Sequence, residues 1–404
     1  MCDATQQDRL VPLVISAVRH ESAEDFVLEY LAWAGVHGFA SRPKPPALDD
    51  YRSTDYKSHK GWLDKEAAMA ALPMLPATPA YVTNLGAAYC GDSLAFLRVL
   101  PSESINLVMT SPPFALLRQK AYGNLDQHSY IDWLVEFGHE VKRVLKEDGS
   151  FVLDLGGAYQ RGIPVRSLYQ FRVLIRMCDE VGFFLAEEVY WHNPSKLPSP
   201  IEWVNKRKLR MKDSVNTVWW LSKSEWPKAD VSKVLVPYSD RMKKLLDAPD
   251  KFYTPKKRPS GHDIGAGFGK DNGGAIPSNL LIIPNTESNG CYDSFCKFVG
   301  VERHPARFPA GLPQHFVRML TAPGDLVLDI FSGSNVTGQV AQAEGRKWLA
   351  FESSREYVAA SAFRFLPREM SQEAVAEVFT KINSGQMVEI PVIEPRLPLE
   401  TAAE

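Results

Sequence analysis

The pentapeptide Thr110-Ser111-Pro112-Pro113-Phe114 ends a short apolar run over residues 105–109. Two consecutive prolines break any helix and withdraw two N–H donors, so nearby carbonyls cannot all be satisfied locally. Ser111 places a small hydroxyl just before the prolines, and Phe114 places a flat ring just after them. Hydroxyl and carbonyl acceptors at one point can take the hydrogens of an exocyclic amino group. The ring can stack on the planar heterocycle that bears it. The same letters also describe an ordinary proline-rich turn at a strand end, so the pentapeptide alone leaves both readings open.

A second constellation lies far downstream. Residues 325–330 read as a buried strand, and Phe331-Ser332-Gly333-Ser334-Asn335-Val336-Thr337-Gly338 as a small-residue turn opening a helix over 340–344. Lys347–Glu352 reads as a second strand ending in an acid. Together they form the first βαβ unit of a nucleotide-binding sheet. Glycines let backbone approach the ligand, the helix N-terminus attracts a carboxylate, and Glu352 can accept both ribose hydroxyls. The turn is not Gly-x-Gly-x-x-Gly, so a dinucleotide fits poorly. An adenosine bearing an amino-acid carboxylate fits better, which describes S-adenosylmethionine. A generic α/β turn with a solvated Glu352 remains the alternative at this point.

With both constellations in hand, the chain resembles the cytosine-N4 branch of the β-class DNA amino-methyltransferases of bacterial restriction–modification systems. That family carries Ser-Pro-Pro-Phe/Tyr as its catalytic block and Phe-x-Gly-Ser as its cofactor block. Catalytic half, recognition region and cofactor half follow in that order, as they do here. Gly91-Asp92-Ser93, Tyr130-Ile131-Asp132-Trp133, Gly149-Ser150-Phe151-Val152 and His304-Pro305-Ala306-Arg307-Phe308-Pro309 extend the likeness over residues 88–368.

The resemblance implies catalysis by Ser111, Pro112, Pro113 and Phe114. It implies a methionine cradle of Gly333, Ser334, Thr337 and Gly338 with His304, Pro305 and Phe308. Phe331 walls the pocket, Glu352 holds the ribose and Asp92 contacts the adenine side. Thr110 and Asp329, at the two strand ends, complete the cofactor set. Asn335-Val336 departs from the family's commoner Gly-Thr in that turn. The resemblance further implies double-stranded DNA as substrate, a short palindromic target such as CAGCTG, a cognate restriction endonuclease, and action as a monomer or homodimer. Adenine-N6 methylation by the same fold is the enzymatic alternative. Its usual block is Asp/Asn-Pro-Pro-Tyr, against which Ser111 argues. A catalytically silent DNA-binding module is the non-enzymatic one.

Positioning these groups requires alternating strands and helices. Strands are expected at 107–110, 151–155, 187–191 and 215–221, with helices at 130–145 and 167–180 between them. The expected fold is therefore α/β: a doubly wound, mostly parallel Rossmann-like methyltransferase sheet with an inserted target-recognition region. The expected boundaries are an N-terminal extension at 1–75, whose apolar spacing suggests helices before residue 40, and a catalytic half at 76–194. Recognition region at 195–303, cofactor half at 304–370 and a partly ordered tail at 371–404 follow.

Charge is uneven. The chain carries 46 Lys and Arg against 48 Asp and Glu, yet residues 195–258 hold sixteen basic against seven acidic side chains, a local net of +9. Such a block suits phosphates, and Lys196, Lys206, Arg207, Lys208, Arg210 and Lys212 are the candidate DNA contacts. The pair Trp219-Trp220 and the glycine-rich loop at 261–269 lie in the same region; the loop lacks a strand–helix frame and suits an approach to DNA. Cys2, Cys90, Cys178, Cys291 and Cys296 are scattered, so no metal site is expected and free thiols fit a reducing bacterial cytoplasm. The apolar stretch at 10–18 is too short to span a membrane.

Overall fold

The structure, a computed structural model, describes residues 72–73, 75–113, 127–160, 162–248, 269–286 and 291–391. These belong to the larger of two compact units, Gly61–Glu404. The helices expected before residue 40, Phe114 and the glycine loop at 261–268 lie outside the described residues.

The strands are β1 (Tyr81–Val82), β2 (Gly86–Cys90), β3 (Ile105–Thr110), β4 (Leu145–Leu155), β5 (Phe184–His192), β6 (Val215–Ser222), β7 (Leu280–Ile282), β8 (Leu326–Asp329), β9 (Lys347–Glu352) and β10 (Val388–Glu389). They form one sheet in the order β10-β1-β2-β9-β8-β3-β4-β6-β5-β7. From β2 to β4 every neighbour is parallel, and β6 runs against both β4 and β5. The central strands read as continuous apolar runs because helices cover both faces. On β6, Val218 and Trp220 enter one core while Trp219 and Leu221 enter the other.

Helices α1 (Ser93–Val99), α2 (Gln127–Val144) and α3 (Tyr169–Asp179) cover one face. On α3 the buried Tyr169, Val173 and Met177 recur every four residues, the spacing of one helical stripe. A further helix, α4 (Asp240–Asp247), contributes no buried residue. The second face is covered by α5 (Tyr292–Val299), α6 (Gly311–Leu320), α7 (Val336–Ala343), α8 (Arg355–Ser361) and α9 (Gln372–Asn383).

The strand expected at 215–221 is β6, and β7 joins the same sheet from within residues 195–303; the Trp219–Trp220 pair is buried in β6. The segment after 371 is more than an extension. On α9, Val375, Phe379 and Ile382 enter the core, and β10 pairs with β1. The apolar spacing over 372–382 suits a helix, but spacing alone does not show that its stripe has a core to cover.

The topology fixes where chemistry belongs. The chain leaves β3 toward β4 on one side, and later leaves β8 toward β9 on the other, while β3 and β8 are themselves parallel neighbours. This is a switch point, where a crevice opens at the carboxyl ends of the strands.

Candidate active site

Two sequence segments far apart meet at that crevice through one carboxylate. Thr110, at the end of β3, donates its hydroxyl to Asp329 Oδ1 at 2.7 Å. Thr337, in the first turn of α7, donates to Asp329 Oδ2 at 2.7 Å, and the Phe331 amide donates to Oδ1 at 3.1 Å. Asp329 is fully enclosed at the end of β8, and burial pushes its carboxyl up to about 6 against these hydrogen bonds. It locks the catalytic strand to the cofactor turn.

One strand further along, Ser111 donates its hydroxyl to Asp154 Oδ2 at 3.0 Å. Asn216, on β6, donates Nδ2 to the other oxygen at 3.1 Å. Burial pushes Asp154 up to about 6; the Asn216 and Ser111 hydrogen bonds and the nearby Lys196 ammonium pull the other way. The serine is therefore not a free turn hydroxyl. Its hydrogen is committed to a buried carboxylate, which leaves its lone pairs to accept from outside. Pro112 beside it is buried and Pro113 half-buried.

The turn after β8 is built with unusual economy. Gly333 has φ +49, and a Cβ there would meet the His304 ring at 2.9 Å, so backbone and imidazole are in close contact. Asn335 is left-handed at φ 56; its Oδ1 caps α7 by accepting from Gly338 N at 3.0 Å, and its Nδ2 donates to Tyr81 Oη at 2.9 Å. Asparagine is among the few non-glycine residues suited to that conformation, which accounts for its place in this turn. Ser334 is buried, its hydroxyl accepting from Arg364 Nη2 at 2.9 Å. Burial lowers Arg364 to about 10, and its guanidinium lies 4.7 Å over the Tyr292 ring. The side-chain groups of Ser334 and Thr337, and the Gly338 amide, are thus bonded within the protein and shape the turn.

Glu352, at the end of β9, accepts from the Gly333 amide and the Ser354 amide, each at 2.9 Å. Its remaining lone pairs suit further donors. Phe331 packs on Trp133 and Phe137 at 5.3 and 4.9 Å between ring centres, forming an aromatic wall. Asp92 caps α1 by accepting from Leu94 N at 2.9 Å and is otherwise exposed, next to the paired ends of β2 and β9. His304 bonds Ala306 O at 2.7 Å and meets Tyr357 edge-on at 4.6 Å. Pro305 is exposed, and Phe308 packs on the second-face core.

The basic candidates lie on residues 193–214, between β5 and β6. Lys206 and Arg207 share Glu202 at 3.2 and 2.9 Å, and Arg207 stacks over Trp203 at 5.2 Å. Arg210 donates Nε to Pro164 O at 3.0 Å, and Lys212 donates to Pro194 O at 3.0 Å. Lys208 sits at φ 54, and Lys196 is half-buried near Asp154.

Sequence reasoning missed Asp154, Asn216 and Arg364. Asp154 and Arg364 are lone polar residues inside apolar runs, Phe-Val-Leu-Asp-Leu and Ala-Phe-Arg-Phe, whereas Asn216 stands beside Thr217 and gives no such signal. A lone charge in such a run is the available signal, because a buried charge persists only with partners.

Comparison with known proteins agrees with this geometry. The DNA methylase family matches residues 105–363. The type II methyltransferase M.PvuII of Proteus hauseri is 65% identical over 312 residues, 77% of this chain and 93% of that protein. The solved structure of the PvuII DNA methyltransferase (cytosine-N4-specific) superposes with a TM-score of 0.65 at 55% identity, covering 78% of this chain and 98% of its own. The DNA adenine methyltransferase YhdJ of Escherichia coli (strain K12) is 26% identical over 275 residues, 66% of this chain and 78% of its own.

Proposed function

This chain belongs to the DNA methylase family, and on that footing we propose that it methylates N4 of a cytosine flipped out of double-stranded DNA, using S-adenosylmethionine. The observation that carries the reading is the Ser111–Asp154 pair, set one strand from the Asp329-locked turn at the switch point. The adenine alternative expects an acid or its amide where Ser111 stands, and has only distant likeness behind it.

The donor set fits S-adenosylmethionine. Gly333, where a Cβ would clash, lets the turn close against the His304 ring, Glu352 retains acceptor capacity for ribose hydroxyls, and the Phe331 wall suits a flat base. When bound, S-adenosylmethionine supplies a methyl group on an electrophilic sulfonium. Gly333, with the segment from His304 to Phe308, holds the methionine portion, while Asp92 lies toward the adenine.

Cytosine N4 is a weak nucleophile because its lone pair is delocalised into the ring. Ser111 and the Pro112 carbonyl accept its two hydrogens, pyramidalise the amine and turn its lone pair toward the methyl. Asp154 holds the serine hydroxyl in the accepting orientation. Alignment supplies much of the rate. The geometry requires an extrahelical base, and Phe114 is the stacking partner assigned to it from the sequence. The loop with Lys196 and Lys206 to Lys212 grips phosphates and base edges of a short palindrome, CAGCTG being the specific candidate. In the cell, in the cytoplasm, this modification protects DNA from a cognate endonuclease.

Methyl-labelled S-adenosylmethionine and duplex DNA, followed by nucleoside mass spectrometry, test the reading. Label in N4-methylcytosine supports it; label in N6-methyladenine, or none, overturns it.

A further inference from the structure

The loop at 193–214 carries more than charge. It leaves the carboxyl end of β5, which two antiparallel steps from β4 place at the same edge as the ends of β3 and β8. It returns into β6, whose second residue, Asn216, holds Asp154. The loop therefore rises beside the reacting serine.

Within it stand four exposed apolar side chains: Leu197 at 80%, Ile201 at 61%, Leu209 at 53% and Met211 at 90%. Met211 is the most open, yet its backbone is pinned on both sides. Before it, the Arg210 amide donates to Trp203 O at 3.3 Å and the Arg210 side chain to Pro164 O. After it, Lys212 reaches Pro194 O, and the Asp213 amide donates to Ser199 O at 3.2 Å. The Asp213 carboxylate in turn holds Arg166 through two contacts of 2.6 and 3.2 Å.

A bare methionine on an anchored loop that also carries Lys196, Lys206, Lys208 and Lys212 gains nothing in the free protein. Against a duplex it has a use. The cations match the phosphates, and an apolar chain projecting between them matches the stacked bases beneath. Apolar side chains of this kind enter base steps and unstack them. Met211 stands five residues before Asn216, on the loop that returns to the strand holding Asp154 and through it Ser111, so a side chain entering the stack from this loop does so on the side of the duplex facing the site. Leu209 and Ile201 flank it on the same loop and can cover the neighbouring sugars.

We propose that Met211 is the wedge of the base-flipping step, entering the duplex at the target cytosine and filling the space the base leaves. It is a positioning residue: it touches the DNA stack, not the reacting amine. The inference rests on the duplex-DNA reading above. No bond is made or broken. The wedge shifts the balance between stacked and extrahelical base, whose cost is a few kcal/mol and is smallest for an unpaired base.

The test compares the parent protein with Met211→Ala and Met211→Leu on two duplexes. In one the target cytosine faces guanine; in the other it faces an abasic site. A fluorescent 2-aminopurine beside the target reports unstacking directly. Met211→Ala should lose roughly tenfold or more in turnover on the paired duplex and recover most of it opposite the abasic site, where less flipping work is needed. Its fluorescence rise on binding the paired duplex should fall in parallel, and Met211→Leu should behave like the parent. Equal activity of Met211→Ala and the parent on both duplexes overturns the wedge while leaving the functional reading intact. An equal loss on both duplexes does the same, because it marks an ordinary contact. If the parent methylates cytosine on neither duplex, the functional reading fails and the wedge with it. Unchanged thermal melting and cofactor titration of the variants show that the fold is not the cause.

Discussion

Replacing Asp154 with asparagine separates the chemistry of the site from its stability. In the parent, Asn216 Nδ2 donates to one carboxylate oxygen and Ser111 Oγ to the other. An amide can serve only one of them as acceptor. With Asn216 donating as before, the new amide turns its NH2 toward Ser111. The serine then accepts where it used to donate, which spends one of its lone pairs inside the protein and leaves its O–H without the carboxylate that oriented it. A hydrogen bond to a charged group is worth about 1.5–3 kcal/mol, corresponding to a loss of roughly 10- to 150-fold in kcat.

Stability should move the other way. The folded carboxyl is pushed up to about 6 from an ordinary 3.8, chiefly by burial. A raised folded pKa in an acid means that the fold binds the proton more tightly than the unfolded chain. The parent therefore gains stability from this group as pH falls from above 6 toward 4. At pH 8 the ionised group costs about 3 kcal/mol, which asparagine removes. The variant should melt no earlier than the parent at pH 8 while methylating far more slowly.

Single-turnover methylation across pH 5–9 at saturating cofactor, beside thermal melts, is the assay. The parent rate should fall as pH drops through about 6, as Asp154 protonates, and the variant should lack that dependence. Asp329 is also pushed up to about 6 but is present in both proteins, so the difference between their pH profiles reports Asp154. A variant within twofold of the parent rate, or one whose loss follows weakened cofactor binding, refutes the reasoning.

Three further outcomes follow from the geometry. Glu352→Ala should weaken S-adenosylmethionine binding roughly tenfold or more by calorimetry, with turnover at saturation little changed, because remote charge-assisted bonds hold ground and transition states alike. Asn335→Ala loses the α7 cap, the bond to Tyr81 and ease in the left-handed conformation, and should destabilise the protein by about 2–4 kcal/mol in denaturant titration. Asn335→Gly, which keeps that conformation accessible, should cost clearly less. Replacing Lys206, Arg207 and Lys208 together with Ala should flatten the slope of log affinity against log salt by about 2–3, near 0.9 per lost phosphate contact. The exposed pairs to Glu202 are weak enough to yield to phosphate, so an unchanged slope places these cations off the DNA.

Much of the central sheet was legible because its strands are short apolar runs cut off by proline, glycine or an acid. Lys347–Glu352 is β9 to the residue, and the run before Ser111 is β3 extended by two residues. The meeting of β3 with β8 was legible only through the order of the two halves, since no local pattern states which strands pair. The glycine and small-residue turn announced a ligand loop. What it could not announce is that Ser334 and Thr337 would turn their hydroxyls inward to Arg364 and Asp329. Those partners lie on other elements and become visible only in three dimensions. Sequence left the role of Trp219 and Trp220 open. Strand alternation sends one ring into each core. The four exposed apolar residues of the 193–214 loop carry no sequence signal at all, since exposure is decided by the backbone that pins them.

Sequencing DNA from cells that express this protein, by a method that resolves N4-methylcytosine from N6-methyladenine, tests the central claim most directly. It gives base, position and sequence context together. The expected result is N4-methylcytosine at one fixed position of a short palindrome, lost in cells expressing Ser111→Ala. N6-methyladenine, methylation scattered without a common site, or unmodified DNA would contradict the account.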